Sequence, residues 1–212
     1  MSQLKWCFMS FYKDMDGASF DQLLDWWNAV DLPAWVDSRA LFLDEVAYAL
    51  TKCGADGVRF LKSYARDADF EKRISAVYFL ADKKFVDDEV LQYLAETFAL
   101  DNLRSKTLVL WGYIHIEQFP LSRDEAEKLM KHSDDRMSAL AMVYLSHAYP
   151  AETFEILKRG LSSPNPRQRQ YACDEVGDRG IVALKDDVTR LLQDSDEDVR
   201  ETARLNLEIC FK

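Results

Sequence analysis

The sequence predicts an all-α fold, a stack of about five to six helical hairpins, and three observations predict it. The 212 residues hold only seven glycines and five prolines. That is too few turn formers for an all-β sandwich, whose strands need a turn signal every ~8 to 12 residues. At 48% hydrophobic and 12% aromatic, the chain can bury a sizeable core, which excludes intrinsic disorder. The third observation is a repeat: Leu161–Gly177 and Leu192–Glu208 align without gaps at an offset of 31 residues, matching Leu161 with Leu192, Arg169 with Arg200 and Ala172 with Ala203. A hairpin of this length cannot bury its apolar face alone, so neighbouring units must cover one another.

Taken in chain order, residues 1–33 read as an amino-terminal helical cap and 34–212 as one continuous array. Ser19 and Gln22 form a capping-box pattern and Pro33 a stop, which predicts a helix near 20–30 with Phe20, Leu23, Leu24, Trp27 and Val30 on its apolar face. Ala34–Leu50 is expected to open a degenerate first unit, with Arg39 lying 34 residues before Arg73 and Phe42 in a position otherwise held by a small residue. The arginine followed three residues later by a small residue recurs as Arg73/Ala76 and Arg104/Thr107, and Ser138/Ala141 keeps the register with serine in place of arginine. Val90, Leu91, Leu94 and Phe98 have helical spacing, as do Met137, Leu140, Ala141, Tyr144 and Leu145. Ser122 to Glu125 reads as a second capping box, Pro150 and Pro166 as first-turn residues, and Gly177 and Gly180 as helix exits. The last two helices are carried by Ile181, Leu184, Val188, Leu191, Leu192 and by Val199, Ala203, Leu207, Cys210.

With Leu191, Leu192, Asp194, Val199, Arg200 and Ala203 in place, the string LLQDSDEDVRETARLNL resembles a HEAT or HEAT-like repeat. The resemblance is strong in the last unit, fair in the one before it and loose upstream of residue 130. It implies a right-handed α-solenoid and no single activity. In such an array Ala76, Ala141, Ala172 and Ala203 are packing positions. Arg73, Arg104, Arg169 and Arg200 are expected to bond loop carboxylates such as Asp67 and Asp194, fixing the register of the stack.

Function classes narrow by elimination. No GxxxxGK or GxGxxG occurs, and His115, His132 and His147 lack the i, i+4 spacing of helical metal ligands. Cys173 beside Asp174, with His132 or His147, offers a nucleophile's residue types without a family signature. The acidic pairs, such as Asp134-Asp135 and Asp186-Asp187, fall at helix starts, where negative charge complements the dipole. No catalytic residue, metal or cofactor is therefore expected. Four cysteines without CxxC spacing fit buried thiols in a reducing compartment, and no run reaches the ~18 apolar residues of a membrane span, so a cytoplasmic location is expected.

The formal charge of −10 disfavours nucleic acid and anionic membrane and favours a basic protein partner. Eight acids face a single base, Arg39, between Asp14 and Glu45, a stretch that includes three tryptophans. Asp21, Asp25, Trp26, Asp31 and Trp35 are the first candidate contacts, since tryptophan anchors interfaces and stacks on arginine. Asp88, Gln92, Glu96, Glu127, Glu155 and Asp187, which alternate with apolar positions on the second helices, are expected to line a concave face. The expectation is a non-catalytic, acidic binding scaffold, in one form an immunity-type inhibitor that masks a basic toxin. Two alternatives remain. The repeats are similar to those of phycobilin lyase-associated proteins and of HEAT-like alkylpurine DNA glycosylases, for which Trp111, Trp26 and Asp25 offer residue types. A DNA mimic would need its acids in a linear ribbon.

Overall fold

The computed structural model describes residues 15, 17–33, 36 and 38–211, and among these every regular element is a helix. Contacts gather into two compact units, one within residues 6–116 and the other within 117–212. The first contains α1 (Phe20–Asn28), α2 (Arg39–Thr51), α3 (Gly54–Tyr64), α4 (Phe70–Leu80), α5 (Asp88–Phe98) and α6 (Leu103–His115). The second contains α7 (Arg123–Met130), α8 (Asp135–Ala148), α9 (Thr153–Leu161), α10 (Pro166–Asp178), α11 (Lys185–Arg190) and α12 (Glu197–Ile209).

Both units have two layers. In the first, α2 packs on α4 and α4 on α6, while α3 covers α2 and α4 and α5 covers α4 and α6. In the second, the row is α8, α10, α12, with α7 on α8, α9 across α8 and α10, and α11 against α12. The row helices carry the core: Phe42, Val46, Leu50, Ile74, Ala76 and Leu80 are buried in the first unit, and Met137, Leu140, Tyr144, Ala172, Val176, Val199 and Ala203 in the second. The small residues are where backbones come close. A side chain added at Gly160 on α9 would run into Met142 and Ala172.

One capping pattern starts every row helix after α2. Asp69, Asn102, Asp134, Asn165 and Asp196 are the N-caps of α4, α6, α8, α10 and α12, and each side chain accepts a hydrogen bond from a backbone N–H in the first turn. This satisfies donors that have no partner within the helix and is worth about 1 kcal/mol per cap. Two residues earlier, Asp67, His132, Ser163 and Asp194 accept the N–H of the N-cap residue itself at 2.7, 2.9, 3.1 and 2.9 Å. His132 thus acts twice in this loop, its ring accepting from Asp134 and its backbone N–H donating to the Leu129 carbonyl of α7 at 3.0 Å.

The caps correct the register read from the sequence. Counting four residues on from each N-cap gives Arg73, Lys106, Ser138, Arg169 and Arg200, so Lys106 occupies the arginine position of α6, not Arg104. The same count from Ser38, the N-cap of α2, lands on Phe42 and leaves Arg39 at the first helical position. Arg39 instead reaches Asp69 and Glu71 at the start of α4, and Arg104 lies 3.8 Å from Asp44. Arg73 also departs from expectation: Asp67 accepts a backbone N–H, and the buried Nε of Arg73 has no hydrogen-bond partner among the described residues.

The glycines divide between two jobs. Gly180, at φ 60°, makes the left-handed exit of α10, with Gly180 N–H donating to the Gly177 carbonyl and Ile181 N–H to the Val176 carbonyl. Gly177 lies within α10, where a β-carbon would collide with Asn206 of α12. The segment expected as one helix from Ile181 to Leu192 is broken: a 3-10 turn at Val182–Leu184, six residues of α11, and another 3-10 turn at Leu191–Gln193.

Arg169 and Asp194 are the best-buried ion pair described, with side chains 13% and 8% exposed and two bonds of 2.7 Å. The Arg169 guanidinium holds the Asp194 carboxyl below its usual range. Its contribution to stability is therefore present above the ordinary aspartate pKa of ~3.9 and is lost as pH falls through the depressed value. Arg169→Ala strands the carboxylate and is expected to cost about 3 kcal/mol in urea unfolding at neutral pH, a deficit that shrinks below pH ~4. An equal deficit at pH 7 and pH 3 would contradict this assignment.

Candidate functional site

The acidic surface has to be sorted by which carboxylates are already neutralised. In the first unit, the capping box of α1 forms as expected, Ser19 N–H donating to Gln22 Oε1 at 2.9 Å and Gln22 N–H to Ser19 Oγ at 3.3 Å. The helix buries Leu23 and Trp27 and stops at Asn28, before Pro33. Trp27 packs edge-on against Phe60 and Tyr64 of α3, and Tyr64 donates to Asn28 Oδ1 at 2.9 Å. Trp26 is half-buried with its ring edge-on to Phe42, while Asp21, Asp25 and Asp31 are exposed and form no ion pair among the described residues. Trp35 lies outside the described residues.

On α5, Asp88 and Gln92 are exposed and Asp88 has no ion-pair partner among the described residues. One edge of Arg66, Nε and Nη2, holds both carboxylate oxygens of Glu96, at 2.7 and 2.8 Å, and Glu96 also accepts from Gln92. Lys62 of α3 takes Asp87 and Glu89 at 2.5 and 2.9 Å. The second unit shows the same division. Glu127 is bound by Arg123, which also forks onto Glu152, and Asp187, whose side chain is 15% exposed, is held by Arg190. Glu155 is exposed and has no ion-pair partner among the described residues.

Glu155 has two counterparts that alternation with apolar positions does not single out. Asp124 on α7 and Asp186 on α11 stand 31 residues to either side of it, both are exposed, and neither has an ion-pair partner among the described residues. The three lie in the first turns of successive second-layer helices. Their common offset of 31 was readable in the sequence from the Leu161/Leu192 alignment alone. Arg123 ties the start of α7 to Glu152, immediately before α9, so the first two members of the row sit on neighbouring helix starts.

The buried polar groups of the second unit are committed to one another. His147, in the last turn of α8, meets Glu175 at 3.1 Å with Phe119 stacked on its ring. Arg179 donates to Glu175 at 2.8 Å and to Ser146 Oγ at 2.9 Å. Burial would raise the Glu175 carboxyl, but His147 and Arg179 outweigh it and leave it below its usual range. Next to it, Asn206 donates to Asp174 at 3.2 Å and to Cys173 at 3.8 Å, and accepts from Cys210 at 3.6 Å. Burial pushes the Cys173 thiol up to about 12. A fully buried, protonated thiol is not an activated nucleophile, and neither His132 nor His147 is bonded to it. Cys53 and Cys210 are only partly buried, and Trp111 is half-buried on α6. No cluster of three metal-ligating side chains occurs among the described residues, and no described helix is long and apolar enough to cross a membrane.

No family model and no curated protein matches this chain. Among solved structures, Escherichia coli YibA is similar: TM-score 0.60 at 16% identity, covering 98% of this chain and 76% of YibA. At that identity the similarity speaks for the helical fold and for nothing else.

Asp174 gives a test of this polar interior. Burial pushes its carboxyl up to about 6, with Asp178 and Glu175 adding to the rise and Asn206 opposing it. A raised carboxyl pKa means the folded state holds a proton the unfolded state releases, so this group's contribution declines as pH rises from ~4 through 6. Asp174→Asn is expected to stabilise the protein at pH 7, on the order of 2 kcal/mol relative to its effect at pH 4, measured by urea unfolding at the two pH values. A stability difference that does not change with pH would show the carboxyl to be ordinary.

Proposed function

We propose that this chain is a non-catalytic, acidic binding scaffold whose second-layer helices grip a basic protein. The hairpins are HEAT-like, belonging to a right-handed α-solenoid. The observation that carries the reading is the row Asp124, Glu155, Asp186: three exposed carboxylates without ion-pair partners among the described residues, in one repeat register, on a unit where Glu127, Glu152, Glu175, Asp187 and Asp194 are all neutralised by internal cations. Internal pairing takes up Glu127, Glu152 and Asp187 beside this row and leaves the row open.

The three carboxylates stand on separate helices, and the Debye length at physiological salt is about 8 Å, so charges farther apart than that act as separate sites. A ligand that spans the row with several lysines or arginines gains from all three sites, whereas a single cation feels little more than one. This favours an extended basic surface over a small ligand and makes association fast and salt-sensitive. In the first unit Asp21, Asp25, Asp31 and Asp88 have no ion-pair partner among the described residues, and Trp26, next to Asp25 in the chain, is half-buried. A stoichiometric inhibitor of a basic toxin, of the immunity type, is the specific role that suits a compact acidic scaffold.

The experiment is capture from a native host extract at low salt with the full chain immobilised. Wild type is expected to retain a basic protein that elutes with moderate salt, and Asp124→Asn/Glu155→Gln/Asp186→Asn to weaken that retention about 10-fold, mainly through the association rate. Failure to retain any basic protein, or retention untouched by the triple change, overturns the reading. Asp25→Lys with Trp26→Ala then assigns or removes a contribution from α1.

A further inference from the structure

Arg169 and Arg200 occupy the same position in successive row helices and share half of a bonding scheme. Arg169 Nη1 donates to the carbonyls of Ser163 and Pro164 in the loop before its own helix, at 2.8 and 3.2 Å. Arg200 Nη1 repeats this on Asp194 and Ser195, at 2.8 and 3.0 Å. The other edge of Arg169, Nε and Nη2, forks onto the Asp194 carboxylate of the following loop. The corresponding edge of Arg200 meets no carboxylate and no other acceptor among the described residues. Arg200 instead lines an open cavity of about 330 Å³ with Leu192, Glu197, Glu201 and Arg204.

The surrounding helix face is open in the same way. On α10, Arg167, Gln170 and Asp174 face α12, meeting Asp198, Thr202 and Asn206. The residues 31 further on are Asp198, Glu201 and Leu205, and Ile209 follows one turn later. Leu205 is 40% exposed and Ile209 70% exposed, so no described helix covers this side of α12 as α12 covers α10. A guanidinium fork already held in position by two carbonyls starts the same helix that carries this uncovered apolar pair. That combination reproduces the receiving side of the α10–α12 interface with its occupant missing.

We propose that this edge of α12 is a docking site for a partner protein's helix led by an acidic loop, the carboxylate of that loop seating on Nε and Nη2 of Arg200 and the helix covering Leu205 and Ile209. The partner chemistry follows from the Asp194–α12 segment, which docks on α10 in this way. Bidentate arginine–carboxylate geometry selects a carboxylate over an amide, because an amide offers one acceptor to two parallel donors. The site uses none of the carboxylates in the acidic row and stands whether or not that row binds a basic protein.

The test uses a labelled peptide of residues 192–209 carrying Asn206→Leu, because Leu205 stands where Asp174 would meet that asparagine. Fluorescence anisotropy with the full chain is expected to show saturable binding. Arg200→Ala in the protein and Asp194→Asn in the peptide should each weaken it about 10-fold or more, as loss of a charge-assisted bond does, and the two together little further. Ile209→Lys in the protein should weaken it independently. Wild-type circular dichroism and melting in each protein variant separate loss of docking from loss of fold. No saturable binding, or binding that Asp194→Asn leaves unchanged, overturns the proposal.

Discussion

A single arginine geometry sets the spacing of the second unit. The guanidinium is planar with donors on two edges, so one residue can hold the loop before its own helix and the loop before the next helix at once. Arg169 does both, closing onto Ser163 and Pro164 on one side and Asp194 on the other. A change of one residue in the α10–α11–α12 connection would move Asp194 off the fork while leaving every helix able to form. The repeat length is therefore under a polar constraint as well as an apolar one. Where Ser138 replaces the arginine, the job is divided: Ser138 donates to the Met130 carbonyl at 2.6 Å, and Gln168 reaches back from α10 to donate to Ser138 at 2.6 Å. The loop keeps its donors by borrowing one from the following helix.

Packing in the row depends on what that polar frame leaves room for. With the N-caps holding each start, the small residue seven positions on is Ala76, Ala141, Ala172 and Ala203 in four helices, all buried. In α6 the same count gives Val109, also buried, so this position tolerates a branched side chain where Lys106 stands in for arginine. Close approach at Gly177 lets Asn206 reach Asp174, Cys173 and Cys210 together. The cost of burying these polar groups is met by making each the partner of another, which is the condition under which a buried polar network supports a fold.

The helical class, the capping boxes and the packing alanines were legible in the sequence because each rests on local chemistry repeated at one spacing. Register before residue 130 was not. The N-caps of α4 and α6 are 33 residues apart and those of α6 and α8 are 32 apart, so an arginine-to-arginine alignment slid onto Arg104 when the structural position was Lys106. The N-cap was the better landmark, since a helix start is set by the residue that takes its orphan donors and not by a surface charge four positions later. Site residues were legible as acids but not as open acids. Glu96, Glu127 and Asp187 pair with Arg66, Arg123 and Arg190. Arg66 lies 30 residues from Glu96 and comes within reach only once α3 and α5 have folded.

This distinction alters what the net charge means. An excess of ten acids is a property of the chain, but a partner responds to local potential, and local potential depends on which acids remain after internal pairing. Pairing in the second unit divides between Arg123, Arg169 and Arg179, which reach from one element to another, and Arg190 and Arg204, which pair within their own helices. Asp124, Glu155 and Asp186 sit one helical turn before Lys128, Arg159 and Arg190, yet none of the three closes an ion pair with its i+4 neighbour. At exposed positions such pairs are worth only about 0.3 to 0.5 kcal/mol, so a partner that offers a better-placed cation displaces little in taking the carboxylate. The same weakness that makes these acids poor stabilisers of their own helices leaves them available for binding.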